Sequence, residues 1–209
     1  CIKSKKGKTF DGTSSGGRLV NSEPGKVFFS TGDFYLDGVN DDRLSPESDY
    51  SKIFEFSFLN KETPRVIGSG FRNPQGLVKV GNGLFETEHG PQGGDELNFI
   101  SLDSKEVKNY GWPDATYGVD YGKFEWPFDK NNSNHQEKGF VSPKMSWIPS
   151  IGTSNLILIE QNNFKGWKDN LLIGTLRDKS LYRVVLNGSE VSAIERINIE
   201  YSLKNKIQI

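Results

Sequence analysis

The sequence predicts an all-β chain built as a β-propeller of four-stranded antiparallel blades, and three observations lead there. No 11-residue window among the 209 residues keeps apolar side chains at the i, i+3, i+4, i+7 spacing of an amphipathic helix. Twenty-three Gly and nine Pro, together with many Asn and Asp, cut the chain into short β-branched and aromatic runs. Three segments are also alike: KIFEFSFLNKE (52–62), ELNFISLDSKE (96–106) and SLYRVVLNGSE (180–190) each read as a strand running into a tight polar turn. Their pivots Leu59, Leu102 and Leu186 lie 43 and 84 residues apart, one and two units of a period in the propeller range of about 40–50 residues. Similar hairpins in a β-sandwich are the alternative architecture.

Strands are expected at 18–20, 26–30, 52–58, 77–80, 84–88, 97–102, 156–160, 171–174, 181–186 and 191–197. Several alternate as a half-buried strand does, for example Ile53, Phe54, Glu55, Phe56, Ser57, Phe58. A second echo precedes each repeat: VFFSTGD (27–33), LFETEHG (84–90) and LIGTLRD (172–178). The alternating pair fits a blade whose inner strand delivers polar residues to a central mouth while its outer strand faces away. The stretch 110–148 breaks the rhythm. It reads as a long irregular loop packed by Trp112, Tyr117, Tyr121 and Trp126, with His135 in a solvated polar run.

Composition narrows the function. Lys+Arg 26 against Asp+Glu 27 leaves a net charge of -1, so there is no basic surplus for phosphates or anionic lipid, and nucleic-acid binding is not expected. No apolar run approaches the roughly 20 residues of a membrane span. The single cysteine, Cys1, excludes an internal disulfide framework and a cysteine-rich zinc site. No Gly-x-Ser-x-Gly elbow, phosphate-binding loop or His-Glu-x-x-His is present, which removes most support for hydrolase and kinase readings.

The polar density lies in GFRNPQGL (70–77) and EHGPQGGDELN (88–98). Arg72 and Asn73 offer forked donors suited to a planar carboxylate or a quinone oxygen. The Gly90-Pro91 pair leaves carbonyls for a hard cation such as calcium. A glycine-rich loop stabilised by its own hydrogen bonds is the other reading. Of the two histidines, His89 is the better candidate for a general base, with donation to a backbone carbonyl as its structural alternative.

In order along the chain, GFRNPQGL (70–77), EHGPQGGDELN (88–98), NYGWP (109–113) and WIPSIGTS (147–154) resemble the quinoprotein glucose/sorbosone dehydrogenases, the soluble aldose sugar dehydrogenases. GGRLV (16–20) and FSTGD (29–33) upstream, with Gly166-Trp167 and 171–183 downstream, extend the resemblance over nearly the whole chain. It implies a six-bladed propeller carrying pyrroloquinoline quinone (PQQ) over its central channel, calcium, and oxidation of aldose sugars to lactones outside the cytoplasmic membrane, in the periplasm or secreted. By the same resemblance, Arg72, Asn73 and Gln75 contact the quinone and the carbonyls of Gly90 and Pro91 bind calcium. Asp95 supports the site, and Ser150 and Arg177 complete the cofactor's surroundings.

Three departures stand against those matches. The family's catalytic His, four residues before the Arg of Gly-Arg-Leu, is Ser14 here. A serine cannot take a hydroxyl proton near neutral pH without a base of its own. The family's closing Arg-x-Arg pair corresponds to Lys206-Ile207-Gln208, which keeps one cation and loses the other. Finally, residues 1–209 read as a single partial propeller domain of roughly four blades, incomplete at both ends, whose open sheet edges invite self-association. Cys1 then falls inside the family's domain, which sets aside a lipoprotein N-terminus. Two functions are carried forward: a PQQ-dependent sugar dehydrogenase impaired at Ser14, and a non-catalytic propeller that binds a sugar, small ligand or protein through the same mouth.

Overall fold

The computed structural model describes residues 13–34, 48–59, 63–119, 135–162 and 164–198, and among them it contains thirteen strands and no helix. In the first sheet β1 (Gly16–Glu23), β2 (Lys26–Thr31), β3 (Lys52–Ser57) and β4 (Arg65–Ser69) form an antiparallel meander. The short β8 (Lys108–Asn109) joins it in parallel alongside β4. The second sheet holds β5 (Pro74–Val80), β6 (Gly83–Glu88), β7 (Asp95–Ser101) and β9 (Met145–Trp147), in that order. The third is β10 (Thr153–Leu158), β11 (Leu171–Thr175), β12 (Ser180–Asn187) and β13 (Glu190–Asn198).

The two sequence echoes fall on equivalent strands. Segments 52–62, 96–106 and 180–190 place β3, β7 and β12 third in their sheets, and 27–33, 84–90 and 172–178 place β2, β6 and β11 second. The repeat is therefore a blade repeat, and the chain is a partial propeller rather than a sandwich. All ten expected strands are present, most a residue or more longer than their apolar runs. Three were not expected. β4 (RVIGS) has only two large apolar residues, and β8 and β9 are two and three residues long, too short to show a period.

Three blade-like sheets lie among the described residues, and one expectation about the ring changes. The innermost strands are not a member of the echoed pair but the strands before it. β1, β5 and β10 lie side by side and line an open groove of about 910 Å³. Within the loop, Trp112 is buried and Tyr117 stacks on His135 at 5.1 Å, whereas Tyr121 and Trp126 lie outside the described residues. His135 itself is fully buried rather than solvated, packed between the Tyr117 ring and Gly111. A Cβ at Gly111 would sit 2.7 Å from the imidazole.

The second sheet supplies the core with both its faces. Leu84 and Ile100 pack toward the first sheet with Phe28, Ile53, Ile67, Phe71, Leu77 and Tyr110. Phe85 and Leu97 pack toward the third with Trp147, Ile151, Leu156, Leu171, Ile173 and Val184. Alternate residues on a strand point to opposite faces, so β6 sends Leu84 one way and Phe85 the other, and every one of its six positions is buried. The face carrying Leu84 continues as Glu86 and Glu88, toward the end of the sheet where the polar residues gather.

Candidate functional site

One end of the three sheets collects the start of β1, β5, β7 and β10 and the end of β2, β6 and β11, because antiparallel neighbours bring these termini together. At the first sheet the chain enters through Ser14, whose backbone takes a left-handed conformation (φ 51°). The Ser14 carbonyl accepts the Phe34 N–H at 3.0 Å and lies so close to Gly32 that a Cβ there would collide with it. Asp33 is buried beside it, and the Asp33 N–H donates to the Arg72 carbonyl at 2.8 Å, tying the first mouth turn to the second sheet.

Arg72 and Asn73 lead into β5, and Gln75 follows on that strand. The Glu88 carboxylate accepts the backbone N–H of Arg72 and, at 3.1 Å, that of Asn73. The Asn73 side-chain oxygen accepts from Gln75 Nε2 at 2.9 Å and from the Gly16 N–H at 3.4 Å. Arg72 does not extend into the mouth. It is buried, its guanidinium lies over the Trp112 ring at 5.4 Å, and Nη1 donates to the carbonyls of His89 (3.1 Å) and Gly90 (2.8 Å).

The carbonyls assigned to calcium are therefore not left open. Gly90 O accepts from Arg72, and Pro91 O accepts the Gly94 N–H at 3.3 Å. Each carbonyl keeps a second lone pair. Among the described residues no group of three or more His, Cys, Asp or Glu side chains converges on a metal position. Two carbonyls are far short of the 6–8 oxygens calcium takes, so a hard cation here needs further oxygens from a bound ligand or water.

Asp95, Ser150 and the next loop form a second knot. Asp95 Oδ2 accepts from Ser150 Oγ (2.7 Å), the Gly152 N–H (2.7 Å) and the Thr153 N–H (3.0 Å). The Ser150 hydroxyl proton is thus committed to Asp95, which makes Ser150 a support for the loop. His89 Nε2 meets the Thr153 carbonyl at 2.5 Å, and Thr153 Oγ1 donates to the Glu88 carbonyl at 3.1 Å, a reciprocal latch between the second and third sheets. A carbonyl can only accept, so Nε2 carries the proton and the neutral ring keeps Nδ1 as its acceptor. Arg177 sits in the β11–β12 turn, where its N–H donates to the Ile151 carbonyl at 3.1 Å. Its side chain is exposed and has no hydrogen-bond partner among the described residues. Lys206 lies outside the described residues.

Beneath the mouth lies an acidic layer that sequence reasoning missed. Glu86 and Glu88 on β6 face Asn98 and Glu96 on β7, all four buried. Asn98 Nδ2 reaches Glu86 Oε2 (3.2 Å), Glu88 Oε1 (3.4 Å) and Glu96 Oε2 (3.5 Å). Burial raises all three acids. Glu86 and Glu96 rise well above the usual range, with the Glu88 charge adding to it, and Glu88 is pushed up to about 7. For Glu88 the N–H groups of Arg72 and Asn73 oppose the rise. The layer therefore holds protons at neutral pH. Asp33, Thr153 and Asp178 were also missed. The echo itself was the available signal, since its last residues, Asp33, Gly90 and Asp178, all reach the mouth.

These residues offer an exposed guanidinium at Arg177, half-buried amides at Asn73 and Gln75, and backbone facing open space at Gly17 and Gly93, where a Cβ would meet nothing within 4 Å. A planar acid bearing several carboxylates and a quinone fits that donor set.

Comparisons with known proteins place the chain in a family. A family model described as glucose/sorbosone dehydrogenase matches residues 2–207. The aldose sugar dehydrogenase YliI of Escherichia coli (strain K12) is 32% identical over 201 residues, covering 91% of this chain and 52% of that protein. The solved apo form of the soluble aldose sugar dehydrogenase from Escherichia coli superposes with a TM-score of 0.73 at 29% identity, over 90% of this chain and 55% of that one. The PQQ-bound aldose sugar dehydrogenase of Streptomyces coelicolor shares the fold, with a TM-score of 0.64 at 23% identity over 88% of this chain and 48% of that one. The chain thus spans about half the length of these relatives. With its three-sheet partial propeller and a family match that runs almost from end to end, the chain belongs to the glucose/sorbosone dehydrogenase family.

Proposed function

We propose that this chain carries the PQQ- and calcium-binding mouth of an aldose sugar dehydrogenase whose catalysis is impaired at Ser14. The observation that carries the reading is the convergence of Asn73, Gln75, Gly90, Pro91 and Arg177 on one end of three sheets in a chain of this family. In this reading Arg177, Lys206 and the amides of Asn73 and Gln75 meet the carboxylates and quinone oxygens of PQQ. Gly90 and Pro91 supply two carbonyls to calcium. Arg72 acts from behind, fixing the His89 and Gly90 carbonyls, while Asp95 and Ser150 hold the loop beneath Arg177. If bound there, the quinone would supply the two-electron oxidising chemistry that takes an aldose to its lactone, with calcium as the polarising cation.

What this chain must add is a group to take the proton of the anomeric hydroxyl. Ser14 has no basic nitrogen, and loss of a general base costs about 10²–10⁴-fold. His89 is engaged at Nε2 by Thr153 O, so a base role for that ring would fall to its Nδ1. Residues 1–209 act as one partial propeller domain in this account, outside the cytoplasmic membrane. Among the described residues no helix is long and apolar enough to cross a membrane. Self-association of the chain belongs to the same proposal.

The test is sugar oxidation at saturating PQQ and calcium by the native chain and by Ser14→His. A gain of two or more orders of magnitude in the variant supports the reading; no gain, with PQQ bound in both, contradicts it. Ser14 favours a second reading, a non-catalytic propeller that binds a sugar, small ligand or protein at the same mouth. Saturable sugar binding without PQQ, unchanged by Arg177→Gln, would support that one.

A further inference from the structure

The turn that carries Arg177 also carries Asp178, and the two differ sharply in their surroundings. The turn is closed at its base by Thr175 and Ser180: Thr175 Oγ1 donates to the Ser180 carbonyl at 2.8 Å and accepts the Ser180 N–H at 3.0 Å. It is pressed onto the neighbouring loop by three backbone donors, Leu176 N–H to Gly152 O (2.7 Å) and the N–H groups of Arg177 and Asp178 to Ile151 O (3.1 and 3.0 Å). Only glycine permits this closeness at 152, where φ is +65° and a Cβ would stand 2.8 Å from the Arg177 nitrogen.

Within this fixed turn the Asp178 carboxylate is gripped by Arg196 from β13. Arg196 Nε donates to one oxygen at 2.7 Å and Nη2 to the other at 3.0 Å, a two-pronged pair, and the Tyr182 hydroxyl donates to the first oxygen at 2.9 Å. Tyr182 stands opposite Arg196 across the β12–β13 ladder, and its ring meets the edge of buried Trp147 at 6.1 Å. The side chains of Arg196 and Asp178 are 47% and 26% exposed, so the pair adds little to stability, but its fork geometry fixes where the carboxylate points. Arg196 also holds Asp178 below the usual carboxylate range, so the pair stays charged through mildly acidic pH.

We infer that Arg196, with Tyr182, sequesters the Asp178 carboxylate so that the adjacent Arg177 guanidinium remains available to a carboxylate ligand at the mouth. Arg196 and Asp178 are thus positioning residues, and the inference rests on the proposed role of Arg177. The physical reason is competition. Asp178 is the carboxylate next to Arg177 in the sequence, on the same turn. Unless another cation occupies it, it pairs with Arg177 and cancels the charge that would meet a ligand.

Competition makes a prediction that a purely structural clamp does not. PQQ affinity is measured by fluorescence titration in calcium-containing buffer for the native chain, Arg196→Gln, Asp178→Asn, the double variant and Arg177→Gln. Arg196→Gln is expected to weaken PQQ binding about tenfold by releasing Asp178 onto Arg177. Adding Asp178→Asn to Arg196→Gln should restore most of that loss, because the competitor is gone. A double variant as weak as Arg196→Gln alone, or an Arg196→Gln variant that binds as the native chain does, overturns the inference while leaving Arg177 in place. If Arg177→Gln binds PQQ as the native chain does, or the native chain binds none, the proposed role of Arg177 fails and this inference falls with it.

Discussion

The second and third sheets share one four-strand pattern and treat their carboxylates in opposite ways. In the second sheet every position of β6 is buried, and Glu86, Glu88 and Glu96 gather around Asn98 with their proton affinities raised by burial. In the third sheet β13 has exposed and half-buried positions and no buried one, and the acids of that sheet are solvated and paired: Asp178 with Arg196, Glu190 with Lys144, Glu195 with Arg183. There the Arg196 and Lys144 partners lower Asp178 and Glu190. Place within the sheet accounts for the difference among the described residues: β6 lies between β5 and β7 with core on both faces, whereas β13 is the outer strand of its sheet, paired with β12 alone. The buried layer therefore holds backbone N–H groups through the Glu88 carboxylate, and the solvated one fixes side chains through ion pairs.

The comparison can be pressed hardest in the core. Leu84→Ala, at a fully buried site between two sheets, should destabilise the chain by about 2–5 kcal/mol, whereas Ile157→Ala, 51% exposed on β10, should cost well under 1 kcal/mol. Chemical denaturation of both variants checks this; equal losses would mean that the middle blade is not the centre of the core.

Next in size is the knot linking the two sheets. Asp95→Ala leaves three buried or half-buried donors without their acceptor and should cost about 3 kcal/mol, while Asp95→Asn, which can still present an oxygen to them, should cost about 1 kcal/mol. A loss in Asn as large as in Ala would show that charge rather than hydrogen bonding holds the loop.

The smallest effect is in pH, and the two sheets predict opposite slopes. Glu86 and Glu96 have folded-state affinities raised above the usual 4.5, so the native chain holds more protons than the unfolded one and stability falls as pH rises above that value. The fall extends through about 7 if Glu88 takes part. Asp178 and Glu190 are lowered, so their contribution is present above their unfolded values and is lost as pH falls through the folded ones. Melting temperature should peak in mildly acidic buffer, and Glu86→Gln should flatten the alkaline side only. A stability that rises from pH 5 to 8 would contradict the protonated layer.

Much of the fold was legible because its determinants are local. The alternation in 52–58 and the recurrence of the echoed pair name strands and blades without any knowledge of contacts. β8 and β9 were illegible for the opposite reason, since two or three residues hold no period and become strands only when β4 and β7 offer an edge. The motifs name residues that stand at one end of the sheets, but not the direction each side chain takes. Arg72 turns inward because Trp112, forty residues away, gives its guanidinium a face and His89 and Gly90 give it carbonyls. His135 looked solvated among polar neighbours, but Tyr117 and Gly111 bury it. Such outcomes are set by tertiary contacts that spacing along the chain does not record.

The central claim is that a cofactor site survives at this mouth and that calcium depends on a second ligand to complete its oxygen shell. Thermal unfolding of the purified chain with calcium alone, PQQ alone, and both together tests it directly, because a ligand that binds only the native state raises its midpoint by mass action. The account predicts a clear rise with both present and little with calcium alone, since Gly90 O and Pro91 O already accept protein hydrogen bonds. An unchanged midpoint with both ligands well above micromolar concentration would contradict it.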